Sequence, residues 1–203
     1  MTPPEMRGSL ELRFQSELLG GEHLLWTGQP DPSVIFEGAD VFLVPFSLLW
    51  GGFALFWEAG VLGMFRADHP MPWFMVLWGI PFVLAGLYFI VGRFFYKAWK
   101  KRRTFYALTG KRALVLIEGR TRTLRACFLS AVPAINKAVR PSGVGTITFG
   151  NTSWASMYEN TGMDFFGSMA ALGADSTVRF NDVRDADRVY GLAMAAQKEM
   201  PGG

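Results

Sequence analysis

The chain of 203 residues has one cysteine, Cys127, and two histidines, His23 and His69, far apart in sequence. A lone thiol excludes an intramolecular disulfide and a paired thiolate metal motif, so cysteine usage reports nothing about an oxidising compartment. Acids are scarce where bases are dense: Arg93 to Arg140 holds thirteen Lys or Arg and one acid, Glu118. Residues 1–40 reverse this, with seven acids against Arg7 and Arg13. A Gly-rich phosphate loop with its Lys and Ser/Thr, a metal-binding His pair and a nucleophile elbow are all absent. Gly143-Val-Gly145 precedes Thr-Ile-Thr-Phe and lacks the strand-to-helix setting of a nucleotide fingerprint, so turn glycines explain it. Asp68 and His69 form an acid/base pair only in principle, because a polar turn needs such residues for solvation anyway. No catalytic residue, metal or cofactor is expected, and the chain is not read as an enzyme. The first forty residues do not show a basic region followed by a short apolar core, so a retained N-terminus is expected.

Long apolar runs are what the sequence has instead. Half of its residues are hydrophobic and its mean hydropathy is positive, which points to a small membrane protein with one domain attached. Val41 to Phe65 carries one ionisable residue, Glu58. Trp73 to Phe95 carries none before Arg93. At about 1.5 Å per residue each run exceeds a hydrocarbon core of roughly 30 Å. The segment Arg66–Pro72 between them is short, which forces an antiparallel hairpin with helices at about 41–65 and 73–95. Trp73 at one end, and Tyr96 and Trp99 at the other, fit interfacial anchors. Six bases between Arg93 and Arg103 against Arg66 alone in the hairpin loop place both termini in the cytoplasm.

Within the hairpin, Gly79 and Gly86 are spaced to share the face that packs on the first helix, although glycine is also simply common in such helices. Pro45 and Pro81 are expected to bend the spans, and Ser47 reads as a hydroxyl bonded to its own helix. Glu58 is an intramembrane carboxylate and by default a functional candidate. It reads as a near-interface acid, protonated or snorkelling, in the neighbourhood of Trp78 and Gly79, whose indole N–H would satisfy it. No second acid accompanies it as a proton relay would need.

After residue 100, short β-rich segments recur with turns between them. Strands are expected near Thr104–Leu108, Ala113–Glu118, Thr121–Phe128, Ile135–Val139, Gly145–Phe149, Trp154–Tyr158 and Ser176–Phe180. Thr109-Gly110 and Gly119 supply turns where positive φ is cheap. From Asp182 to Glu199 the period changes: Val183, Ala186, Val189, Tyr190 and Ala193 fall at helical spacing, with Asn181 as N-cap. Phe165, Phe166 and Met169 are placed either over the open end of a barrel or at a bilayer interface, the first being favoured. In the acidic N-terminal part, Leu10, Phe14 and Leu18 predict a short helix ended by Gly20-Gly21, with Leu24 to Trp26 an extended piece against the barrel.

The blocks GEHLLWTGQP (21–30), FYALTGKRALVL (105–116), GVGTITFG (143–150) and FNDVRDADRVYGLAMAAQ (180–197) together resemble bacterial membrane proteins that carry a pleckstrin-homology-like domain. The resemblance covers most of the chain, in order. It implies an α+β membrane protein: a cytoplasmic segment (1–40), a transmembrane hairpin (41–99) and a cytoplasmic pleckstrin-homology-like barrel or sandwich (100–203) capped by a C-terminal helix. It brings no catalytic residues.

Such a chain is expected in the bacterial inner membrane as a binding or scaffold module on anionic headgroups or a protein partner. The residues expected at the lipid surface are Lys97, Lys100, Lys101, Arg102, Arg103, Lys111 and Arg112. Nucleic acid is the other polyanion that a sequence pI near 9 permits. The basic stripe begins at the end of an apolar span, however, where lipid is nearer. The alternative is an accessory subunit of a transport or envelope complex, acting through its hairpin on a membrane partner or as a homo-oligomer.

Overall fold

The computed structural model describes residues 4–34, 36, 40–66, 73–151 and 178–200. These fall into two units: one holds the described residues of Met1–Val34 and those from Ala98 onward, the other those of Ile35–Lys97. The described residues up to Val34 thus pack with the strand-rich part of the chain.

The first unit has two antiparallel sheets. Strands β1 (Leu24–Gly28), β2 (Thr104–Thr109), β3 (Arg112–Glu118) and β4 (Arg122–Phe128) run in that order in one; β5 (Ile135–Val139), β6 (Gly145–Phe149) and β7 (Val178–Val183) form the other. Among the described residues no strand pairing closes them into a barrel: of the expected barrel or sandwich, what is present is two open antiparallel sheets. The strand expected at Trp154–Tyr158 and the residues Phe165, Phe166 and Met169 lie outside the described residues, as do Asp68 and His69 of the hairpin turn. The extended piece expected at Leu24 to Trp26 is part of a full strand of the first sheet, Leu24–Gly28, pairing Trp26 with Leu108 and Gly28 with Tyr106.

Residues of β2 and β3 are buried on both faces of the sheet because both faces are covered. On one, Tyr106, Leu108, Ala113 and Val115 pack with Ile147, Phe149, Phe180 and Val189. On the other, Phe105, Ala107, Leu114 and Leu116 meet Leu10 and Phe14 of α1 (Pro4–Gln15). Trp26 packs into the first cluster and Leu24 against the second. A register shift between them turns two side chains that would share a face to opposite sides. Phe180 sits at the centre of the larger core, its ring 4.8 Å from that of Tyr106 and 5.0 Å from that of Phe149.

The C-terminal helix α5 (Ala186–Lys198) starts later than its period suggests. Asn181 lies inside β7, and the helix is preceded by Asp185 at φ 56° with no side-chain cap. The reason is a bulge: strict alternation after Phe180 would send Asp182 into the core, but with Asp182 at φ 50° Val183 takes that place instead and is fully buried. Ala186, Val189, Ala193 and Ala196 form the buried face. Gln197 Nε2 donates to the carbonyls of Leu129 and Val132, both at 3.0 Å, tying the helix end to the turn after β4. Positive φ occurs at Gly21, Gly143 and Gly150, whereas Gly110 and Gly119 turn without it. Thr109 replaces that device in the β2–β3 turn, its Oγ1 accepting the N–H groups of Lys111 and Arg112.

The second unit is a helical hairpin of α2 (Asp40–Arg66) and α3 (Trp73–Leu87). From α3 the chain continues through a π-helical turn, Tyr88–Gly92, into α4 (Arg93–Arg102). Two helical stretches, Asp40–Gly63 and Trp73–Arg102, are long and apolar enough to cross a membrane. They are mostly exposed, with Phe42 81% and Phe56 78% accessible, so they are not core helices of the chain itself. Gly79 and Gly86 both face α2: a Cβ on Gly86 would lie 2.9 Å from Gly51 Cα, and one on Gly79 would overlap the Glu58 carboxyl. Ser47 donates to the Val44 carbonyl at 2.8 Å, as a helix hydroxyl does.

Close packing gives the fold a sharp test at Gly145, where an added Cβ would meet the Ala138 carbonyl at 2.6 Å and Ala186 Cβ at 2.9 Å. Gly145→Ala is expected to destabilise the two-sheet unit by about 1–3 kcal/mol. Denaturant titration of the full chain in detergent measures it. A variant as stable as the parent would show that β6 and α5 are not held this closely.

Candidate functional site

The seven basic residues expected at a lipid surface divide by burial. Lys97, Lys101 and Arg112 are buried, Lys100 is half-buried, and Arg102, Arg103 and Lys111 are exposed. Each buried cation faces a carboxylate. Lys97 Nζ lies 3.7 Å from Asp40 in the helical unit. Lys101 Nζ donates to Asp182 at 2.5 Å and to the Val34 carbonyl at 2.7 Å in the other. A base enclosed with its acid presents little charge to a surface, which sets these three apart from the exposed Arg102, Arg103 and Lys111.

Arg112 is held by several groups at once. Its Nε reaches Glu22 Oε1 at 3.1 Å and its Nη2 reaches Oε2 at 2.6 Å, a bidentate pair, with the Glu17 carbonyl at 3.0 Å. Thr109 Oγ1 lies 2.7 Å from Glu22 Oε1, and the Leu19 N–H donates to Oε2 at 3.0 Å. The hydrogen bond from Arg112 is the main reason that the Glu22 carboxyl falls from its ordinary 4.5 to about 2, against a burial that would raise it. The ends of the N-terminal segment are fixed likewise: Arg13 pairs with Glu118, and Arg122 with Glu17 at 3.1 Å.

A second charged knot lies where β7 meets α5. Asp182 accepts from Lys101 and from Arg140, the latter at 3.2 Å, while its carbonyl takes the N–H of Asp31 at 2.8 Å. Asp31 in turn accepts from Arg184 at 2.7 Å and from the Ser33 N–H and hydroxyl. The Arg184 bond, helped by Ser33, holds the Asp31 carboxyl well below the usual range despite its burial.

The exposed bases do not form one patch. Arg103 immediately precedes β2 and its carbonyl accepts the Glu118 N–H, so Arg102, Arg103 and the exposed Arg120 share one end of the first sheet. Lys111 lies in the turn at the other end, roughly 17 Å away along the six residues of β2. Arg103 stacks on Trp99, 4.5 Å from the ring centroid. Near this end a cavity of about 60 Å³ opens between the sheets, lined by Lys100, Lys101, Arg125, Arg179, Tyr106 and Asn181 among others, with no carboxylate among its described lining residues. Arg125, although exposed, reaches this lining because it pairs with Val115, on the face of β3 that looks toward the second sheet. Sequence reading missed Arg125 and Arg179 as lining residues; for Arg125 the alternation of β4 was the available signal.

Glu58 faces Gly79 as anticipated, but the Trp78 indole does not satisfy it: Oε2 is buried without a hydrogen-bond partner among the described residues, and Trp78 is exposed. Trp78 instead lines an aromatic groove of about 240 Å³ with Trp50, Phe53, Trp57 and Phe82. Among the described residues no group of three or more His, Cys, Asp or Glu side chains converges to hold a metal ion. Comparison with family models, curated proteins and solved structures finds no match for this chain.

Arg112→Leu leaves the Glu22 carboxylate buried without its partner and is expected to cost about 3–5 kcal/mol at neutral pH. The depressed Glu22 contributes stability that is complete above its ordinary value of 4.5 and is lost as pH falls toward its folded value of about 2. Asp31 titrates in both proteins and cancels from their difference. Denaturation of parent and variant in parallel should show the gap narrowing from about pH 5 to 2.5, whereas a gap independent of pH would remove Glu22 from the account.

Proposed function

We propose that this chain is a membrane-anchored binding module: its hairpin crosses the bacterial inner membrane twice with both termini cytoplasmic, and its two-sheet unit is a pleckstrin-homology-like domain that docks on anionic headgroups. One observation carries the reading. The second apolar helix runs without a break from Trp73 into a base-rich end at Arg102, and the exposed Arg102, Arg103 and Arg120 gather at the adjoining end of the first sheet. Exposed bases near an anionic leaflet contribute about 1 kcal/mol each before screening. Because the apolar helices already fix the chain in the bilayer, that energy sets how the domain engages the leaflet and not whether the protein is there. Two sheets with a C-terminal helix packed against their shared core support the pleckstrin-homology-like reading.

The second reading, an accessory subunit acting through its hairpin, is favoured by the aromatic groove of Trp50, Phe53, Trp57, Trp78 and Phe82, a surface suited to another apolar helix.

The test of docking uses the full chain, because a fragment starting after the hairpin would lack β1 and α1. In nanodiscs containing phosphatidylglycerol at low salt, hydrogen exchange at Arg102–Thr104 and in the 119–121 turn should slow relative to discs of phosphatidylcholine alone. High salt, or the combined change R102Q/R103Q/R120Q, should abolish the difference. Protection indifferent to lipid charge and salt would defeat the reading. For topology, an Asp68→Cys variant should react with an impermeant thiol reagent on intact cells, whereas Cys127 should react only after permeabilisation. Even then Cys127 should label slowly, since burial pushes its thiol pKa up.

A further inference from the structure

Arg93 carries more hydrogen-bonding capacity than its surroundings use. Its side chain is 2% exposed, and its Nη1 meets Asp40 Oδ1 at 3.1 Å. The face of the guanidinium lies over Phe94, 4.6 Å from the ring centroid. Nε and Nη2 are both buried and have no hydrogen-bond partner among the described residues. Those two nitrogens form one side of the guanidinium, where the N–H bonds run parallel at the spacing of two oxygens of a single oxyanion. The orphaned donors are thus an intact bidentate fork. A buried donor without an acceptor is costly, and a buried arginine that leaves a whole fork unmet calls for an acceptor from outside the chain.

The backbone aims this fork. Arg93 follows the π-helical turn directly, and its N–H bonds to the Tyr88 carbonyl, five residues back. The wider turn shifts the phase of the residues after it by up to about 100°, one residue of α-helix. That places Arg93 and Lys97 together against Asp40.

We propose that the Arg93 fork binds a phosphate oxyanion, held by Nε and Nη2 while Nη1 keeps Asp40. On the membrane reading above, on which this inference rests, Arg93 lies at the base-rich end of the second apolar helix, at the depth of the lipid phosphates. A phosphodiester offers two non-bridging oxygens, which match the two N–H bonds. Recognition is of the phosphate itself, so zwitterionic and anionic phospholipids serve alike, unlike docking by the exposed arginines.

Native mass spectrometry of the full chain in detergent tests this with phosphatidylcholine, phosphatidylglycerol and a diacylglycerol of the same acyl chains. The two phospholipids should bind comparably and the diacylglycerol about tenfold or more weakly, the loss expected for hydrogen bonds to a charged group. Arg93→Lys keeps a cation beside Asp40 without the fork and should reduce phospholipid binding to the diacylglycerol level, with hydrogen exchange elsewhere unchanged. Displacement of phospholipid by inorganic phosphate would assign the fork to soluble phosphate. Diacylglycerol binding as tightly as phospholipid, or an unaltered phospholipid preference in Arg93→Lys, would overturn the proposal. If that variant does not fold, the wild-type lipid comparison still decides, read also by the shift of one arginine Nε–H in a ¹⁵N-arginine spectrum. Failure of docking appears differently, as equal protection in anionic and neutral nanodiscs.

Discussion

Everything in the two-sheet unit depends on the pairing of β1 with β2, because these neighbouring strands lie on either side of the whole apolar hairpin in sequence. β1 covers what would otherwise be the open edge of β2 and brings Trp26 to within 5.9 Å of Phe180, ring to ring. The same return of the chain carries α1 over Phe105, Leu114 and Leu116, so that β2 and β3 become interior strands. The Glu22–Arg112 pair fixes one end of this arrangement, and the Lys101–Asp182 pair fixes residues leading into α2 and out of α4. A long-range ladder of this kind closes a large loop, whose entropy must be offset by packing and ion pairing together.

Charge in this protein has two uses that composition does not separate. Some bases are held against acids within the chain; others, such as Arg102 and Lys111, are exposed. The acids of the N-terminal segment account for much of the first group: Glu22 meets Arg112, Glu17 meets Arg122 and Asp31 meets Arg184. The acidic start and the basic middle of the sequence thus meet in part, at Glu17–Arg122, at Glu22–Arg112 and at Asp40 with Arg93 and Lys97.

That pairing marks the boundary of what the sequence reveals. The apolar helices, the strands from Thr104 to Phe149 and the inner face of the last helix are legible because each is encoded in local period and turn residues. The role of Leu24–Gly28 is not, since its partner lies beyond the hairpin and only the fold brings them together. The same holds for the buried bases: Lys101 and Arg112 look like their exposed neighbours until Asp182 and Glu22 arrive from 81 and 90 residues away. Glu58 and Gly79 were legible as neighbours from hairpin geometry, but the missing indole bond was not, because rotamers depend on packing. At the β7–α5 corner the helical period begins before the helix does, because the bulge at Asp182 restores Val183 to the core-facing row.

The insertion of the hairpin between β1 and β2 also orders events during synthesis. The ribosome delivers Phe14, Trp26 and Glu22 long before Thr104–Thr109 exists to receive them, and releases β2 only after both apolar helices have left the tunnel. The first sheet cannot gain its outer strand until that happens, so completing it is a record that the hairpin has already been made. A chain stalled within the hairpin would leave an unpaired strand and an unpacked helix at its N-terminus, the exposed features that chaperones and proteases act on.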